Sequence, residues 1–280
     1  YTAECRECKF CKSGKTNLCQ AVRATQGRGL MPDETTRFSQ NGKDIFHFMG
    51  TSTFSEHTVL PEISLAKVRN DAPLEKVCLL GCGITTGIGA VLNTAKVEPG
   101  STCAVIGCGG VGLATINAAK IAGAGKVIAI DPLAEKRQLA EVLGATHTVD
   151  AMADDAVEQV MKITGGGVHH AIEAVGRQAS ADLAVKVLRR GGTATILGMM
   201  PLDCKVGLGA MDLLSGKKLQ GAIMGMNHFP VDLPRLVDFY MRGLLDLDTI
   251  IAERIPLEQI NEGFDLMRKG TSARSVVVFD

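Results

Sequence analysis

The chain has 280 residues, 46% hydrophobic and 21% charged, with 30 lysines and arginines against 30 aspartates and glutamates. That composition is ordinary for a globular protein, and the length suits two domains. The charge balance offers no footprint for nucleic acid or an anionic membrane, and no apolar run reaches the roughly 18 residues that a membrane helix needs.

The start is polar and cysteine-rich and shows no signal peptide, so a cytoplasmic protein is expected. The first residue is Tyr1 rather than methionine, which suits a processed or partial chain. Residues 5–19 read CRECKFCKSGKTNLC, with Cys5, Cys8, Cys11 and Cys19 in one short stretch. Thiolate is a soft ligand favoured by zinc, and four of them close a tetrahedral shell with no open position for substrate. The expected role is therefore structural. Free or disulfide-bonded thiols are the alternative, and the odd total of nine cysteines argues against a disulfide framework. A nucleic-acid zinc finger would need a basic surplus and paired spacing.

Residues 1–65 read as loops and short strands. Glu75–Thr94 suits a buried helix interrupted by glycines. From about residue 101 apolar runs alternate with amphipathic stretches: CAVIG as strand, a helix to about Ala122, KVIAID as strand, EKRQLAEVLG as helix and THTVD as strand. A helix near 155–163 then leads to HHAIEAV, and a helix over 181–189 leads to TATILG. Such alternation predicts a parallel sheet covered on both faces. After about residue 224 it weakens, with PRLVDFYMRG and EQINEGFDLMRKG as helices and ARSVVVF as a last strand.

Gly107-Cys108-Gly109-Gly110-Val111-Gly112 matches G-x-G-x-x-G between a predicted strand and a predicted helix. Gly107 permits the turn, Gly109 lets a pyrophosphate approach the backbone, and Gly112 lets helix pack on strand. The helix N-terminus offers N–H groups to phosphates. Asp131 closes the next strand, where a carboxylate accepts from ribose hydroxyls and repels a 2′-phosphate. NAD is thus favoured over NADP, a preference tempered by Lys136 and Arg137 just beyond.

Together these motifs resemble the zinc-containing medium-chain alcohol dehydrogenases over nearly the whole chain. GTSTFSEHTVLPEISLAK at 50–67, CLLGCGITTGIGAV at 78–91 and INEGFDLMRKG at 260–270 carry the likeness further. VRATQGRGLMPD at 22–33 looks most like the class III, glutathione-dependent formaldehyde dehydrogenase branch, whereas the last third looks more like bacterial alcohol or aryl-alcohol dehydrogenases. The resemblance implies a Rossmann-type doubly wound α/β domain inserted in a β-rich GroES-like catalytic domain that is N-terminally incomplete. Residues 1–83 would be the partial catalytic domain with its structural-zinc lobe, 84–223 the NAD domain, and 224–280 the return to the catalytic domain.

The resemblance also implies residue roles. Cys82 matches a catalytic-zinc ligand and Thr86 a threonine beside the nicotinamide. Ala174, Leu197, Gly198 and Met199 fall where the family lines the nicotinamide, and Arg274 matches an arginine that reaches the pyrophosphate. Arg23 falls where class III has a substrate-carboxylate arginine, with a solvated surface arginine as the alternative, and Cys78 reads as a packed core thiol. The family's other catalytic-zinc ligands, a cysteine and a histidine in a glycine-histidine-glutamate motif, have no match. His47, His57, His147, His169, His170 and His228 read as surface or satisfied core histidines. The implied activity is oxidation of an alcohol, or of an S-hydroxymethyl thiol adduct, to an aldehyde-level product by NAD and zinc, in a homodimer or homotetramer acting on a small-molecule alcohol or aldehyde. The competing expectation is a non-catalytic module that binds NAD and structural zinc.

Overall fold

A computed structural model describes residues 4–270 and 273–279, and these form two compact units. Unit 1 comprises residues up to Cys82, Asn227–Phe239 and those from Ile251 onward; unit 2 comprises Gly83–Met226 and Tyr240–Ile250.

Unit 1 opens with two short helices, α1 (Lys9–Lys12) and α2 (Gln20–Gln26), where loops and strands are expected from sequence. A small antiparallel hairpin follows, β1 (Phe38–Gln40) with β2 (Lys43–Ile45), turned by Asn41 and Gly42, both at positive φ. Helix α3 (Leu74–Val77) continues as a 3-10 turn, Cys78–Gly81. The expected run over 75–94 then breaks, because Cys82 sits at φ −150°, ψ −86°, which no helix accommodates.

Unit 2 begins with α4 (Gly83–Gly89), extended by a π-helical turn at Ala90–Ala95 and ended by Lys96 in the left-handed region. The alternating segment then supplies β3 (Thr102–Ile106), α5 (Gly110–Ile121), β4 (Lys126–Ile130), α6 (Ala134–Leu143), β5 (His147–Val149), α7 (Ala156–Thr164), β6 (Val168–Glu173), α8 (Gln178–Lys186), β7 (Leu188–Ile196), α9 (Ala210–Leu214) and β8 (Lys218–Gly221). The six strands pair in the order β5-β4-β3-β6-β7-β8, all parallel. This is the doubly wound order, whose reversal between β3 and β6 leaves a crevice at the strands' C-terminal ends. Val105, Ile106, Ile128, Ile130, Ala171 and Ile172 are almost wholly buried, as expected for a sheet covered on both faces.

The expected helix over 181–189 ends earlier. Strand β7 starts at Leu188 and runs through the exposed Arg189, Arg190 and Gly191 before its apolar part. A polar strand start carries no period-2 signal, so sequence assigns it to the helix.

Helix α10 (Phe229–Met241) precedes the parallel pair β9 (Ile251–Ile255) and β10 (Arg274–Val277), connected through α11 (Ile260–Lys269). Residues 240–250 cluster with unit 2, although sequence puts all of 224–280 in the return. Leu245, Leu247 and Ile250 are buried there, and the Asp246 N–H donates to Asn117 Oδ1 on α5 at 3.1 Å. The described strands of unit 1 form the two pairs named. No single helix among the described residues is long and apolar enough to cross a membrane.

Candidate functional site

All nine cysteines are thiols. In the lobe, the sulfurs of Cys5, Cys8, Cys11 and Cys19 lie within 4.8 Å of one another, with Cys8 and Cys11 3.6 Å apart and Cys5 and Cys11 4.0 Å apart. Zinc–sulfur bonds of about 2.3 Å would set tetrahedral sulfurs about 3.8 Å apart. The lobe is therefore close to zinc geometry, and the four residues fit the ion. The chain turns back at Gly14, φ +76°, and Thr16, Asn17 and Cys19 are buried. The Cys11 backbone N–H and other nearby amides hold the Cys8 thiol down to about 6, whereas burial pushes Cys11 up to about 12. Such a split marks thiols crowded around one site rather than four independent surface cysteines. Arg23 is exposed and donates through Nη2 to Asn17 O at 2.8 Å, so in this structure it braces the lobe.

In unit 2 the glycine loop joins β3 to α5. Gly107 has φ +94°, and its N–H donates to Ile130 O at 2.8 Å. A Cβ on Gly112 would lie 1.7 Å from Gly107 O, so only glycine permits this approach of helix to strand. A Cβ on Gly109 would meet nothing within 4 Å; the loop is open there, at the N-cap of α5. Gly110 and Val111 form the first turn of α5, whose unpaired N–H groups face outward along its axis. The loop thus fits a pyrophosphate.

Asp131 is 5% exposed. Its Oδ2 accepts from the Cys108 N–H at 2.7 Å and its Oδ1 from the Leu133 N–H at 2.9 Å. Each oxygen keeps a second lone pair for a ribose hydroxyl. Lys136 is half-buried in the first turn of α6. Arg137 donates to Asp131 O and Pro132 O and lies 3.5 Å from Asp150, so its charge is already engaged.

The nicotinamide-lining positions are organised by a residue that sequence reasoning missed. Glu173, at the end of β6, is fully buried. Its Oε1 accepts from the Val175 and Gly176 N–H groups and from Ser180 Oγ at 2.7–2.9 Å, and its Oε2 accepts from the Gly198 N–H at 3.2 Å. One carboxylate thereby ties the loop after β6, which carries Ala174, to the loop after β7, which carries Leu197, Gly198 and the exposed Met199. Gly198 and Gly176 meet backbone to backbone, since a Cβ on Gly198 would lie 2.0 Å from Gly176 N. The acid is visible in HHAIEAV, where a charged residue interrupts an otherwise apolar strand end. Thr86 is half-buried on α4, with Oγ1 3.9 Å from Met224 Sδ.

In unit 1, Cys82 is exposed as a residue, yet desolvation raises its thiol, and the Arg274 charge opposes that rise. Burial in turn lowers Arg274, whose Nη1 donates to Ala273 O at 2.9 Å. Cys82 belongs to no group of three or more metal-ligating side chains among the described residues; the lobe is the only such group. The described residues therefore do not fit a catalytic zinc by themselves. His47 accepts the Arg37 N–H at Nε2 and packs on Phe38, but its Nδ1 and that of His170 are buried without a hydrogen-bond partner, so these two are not the satisfied core histidines expected. Cys78 departs from expectation: it is exposed, with Sγ 3.4 Å from Glu75 O, because the 3-10 turn carries it to the surface.

A family model for zinc-binding dehydrogenases matches residues 110–241. S-(hydroxymethyl)glutathione dehydrogenase of Paracoccus denitrificans is 44% identical over 288 residues, covering 100% of this chain and 77% of that protein. The class-3 alcohol dehydrogenase of Drosophila melanogaster is 47% identical over 100% of this chain and 75% of its own length. The chain belongs to the zinc-binding alcohol dehydrogenase family. A crystal structure of an alcohol dehydrogenase zinc-binding domain protein from Burkholderia ambifaria superposes with a TM-score of 0.94, at 32% identity, covering 99% of this chain and 75% of that one. By family the chain is a zinc- and NAD(P)-dependent alcohol dehydrogenase.

Proposed function

We propose that this dehydrogenase oxidises an S-hydroxymethyl thiol adduct, of the kind named for its Paracoccus denitrificans relative, with hydride transfer to NAD rather than NADP. The observation that carries the cofactor reading is Asp131, buried beside the glycine loop with lone pairs left for ribose hydroxyls. A 2′-phosphate there would meet a carboxylate. When bound, NAD accepts the hydride. The chain's own part is positional. The loop 107–112 and the N-terminus of α5 would hold the pyrophosphate, and the loops tied by Glu173 would orient the nicotinamide. Holding the two reactants in register removes much of the entropic barrier.

Zinc in the lobe would be structural, since four thiolates leave no position for substrate. The substrate reading rests on the relatives and on the class III likeness at 22–33. The test is turnover of S-(hydroxymethyl)glutathione and of simple primary alcohols, each with NAD and NADP. We expect the glutathione adduct with NAD to give the highest kcat/KM. Preference for simple alcohols would overturn the substrate assignment, and preference for NADP the cofactor assignment.

A further inference from the structure

A polar cavity lies in unit 2 at the N-terminal ends of the parallel strands, the opposite end of the sheet from the glycine loop. Its volume is about 300 Å³, and it is lined by Thr164, Gly165–Gly167, His169, Arg189 and Arg190. His169 stands at the start of β6 and the two arginines at the start of β7. The triglycine turn ends α7, and all three glycines have positive φ. Cβ atoms on Gly165 or Gly166 would meet nothing within 4 Å, so the turn leaves that side open.

The hydrogen bonds around His169 contain a contradiction. Its Nδ1 lies 3.1 Å from the Thr102 backbone N and 2.9 Å from Thr102 Oγ1, which itself accepts the His169 N–H. The Thr102 N–H can only donate, so Nδ1 must accept. Its Nε2 lies 2.7 Å from Arg189 Nη1, which also can only donate. A neutral imidazole has one acceptor nitrogen, not two. Either tautomer therefore leaves one donor pressed on another. Burial and then the Arg189 charge hold His169 below the ordinary histidine range, against the weaker pull of Glu98, so protonation offers no relief.

Thr102 N is fixed by the backbone, whereas Arg189 borders open space. An acceptor in the cavity would take both the Nε2–H and the Arg189 guanidinium. Arg190 adds a second guanidinium that pairs with no carboxylate among the described residues. Two guanidiniums and one N–H suit a tetrahedral dianion better than a carboxylate, which a single guanidinium satisfies. We propose that His169, Arg189 and Arg190 form a phosphate-binding site, remote from the dinucleotide site. The ligand is inorganic phosphate or the phosphate of a small phosphomonoester.

The test is calorimetric titration of the full chain with inorganic phosphate, with NAD saturating so that the glycine loop is filled, and with chloride at matched ionic strength as reference. A parallel arm uses glycerol 3-phosphate. One saturable site is expected. The R189Q/R190Q double variant should weaken it by about tenfold or more, at unchanged NAD affinity. A second variant, Gly165→Asp, guards against misfolding of the first. Gly165 has φ +70°, a region aspartate tolerates, and the added carboxylate would repel phosphate. Tighter binding of glycerol 3-phosphate than of phosphate would support the site and identify a phosphomonoester ligand, and the reverse order would support it with free phosphate. No saturable binding in either arm, or binding unchanged in both variants, would overturn the proposal.

Discussion

Glu173 accepts three donors at Oε1 and one at Oε2, with no surface in contact with solvent. A buried carboxylate is tolerable only when so surrounded. Glutamine has the same shape but presents an NH₂ where one oxygen had accepted an N–H. Glu173→Gln should therefore destabilise the protein by about 2–4 kcal/mol, through donors left facing a donor and the loss of charge-assisted bonds. It should also weaken NAD binding, because the Ala174 and Gly198 loops lose their common anchor. Urea unfolding and NAD titration check both effects. Unfolding at the wild-type midpoint would show that the loops are held by other contacts. The role was hidden in the sequence because a single glutamate at a strand end reads as a solvated residue. Its meaning depends on two loops more than twenty residues apart.

At the scale of elements, the Rossmann segment was legible and its edges were not. Strands such as Lys126–Ile130 are short and apolar, with Gly125 before and Asp131-Pro132 after, so both type and position follow from the pattern. The start of β7 was misread because Arg189–Gly192 lack that pattern, and the break at Cys82 because a glycine-rich apolar run gives no sign of where helical dihedrals fail. The steric need at the glycine loop was legible, since the spacing encodes it. Gly112 shows this most directly: its absent Cβ would overlap Gly107 O at 1.7 Å. Gly112→Ala must push α5 off β3 or twist the loop. The expected cost is about 1–3 kcal/mol of stability, with NAD affinity reduced by about tenfold or more as the loop N–H groups move off the pyrophosphate. Denaturant unfolding and NAD titration read these together. Wild-type values in both would mean that the approach of helix to strand is not what the glycine serves.

At the scale of the whole molecule, the change in alternation near residue 101 and its loss near 224 were legible. The excursion of residues 240–250 into unit 2 was not, because it rests on buried leucines and the Asp246–Asn117 contact between segments far apart in sequence. Metal content is the property that joins these scales. The described residues supply one four-thiolate group and no second group of three ligands. We therefore expect one tightly held zinc per chain, measured by elemental analysis under reducing conditions. Its pH dependence follows from the lobe. The Cys8 thiol is depressed from 9.0 to about 6 by backbone N–H groups, so its thiolate persists above that value and is lost as pH falls through it. Zinc binding deepens the depression, because protons and metal compete for the same sulfur. Zinc should stay bound at neutral pH and be released on acidification, as protons displace it from the thiolates. Cys11→Ser should abolish retention at neutral pH, leaving NAD binding in unit 2 intact. Two zincs per wild-type chain would mean that Cys82 is joined by ligands the described residues do not supply. None at neutral pH would show that the close sulfurs form no metal site, and the structural role assigned to the lobe would fall with it.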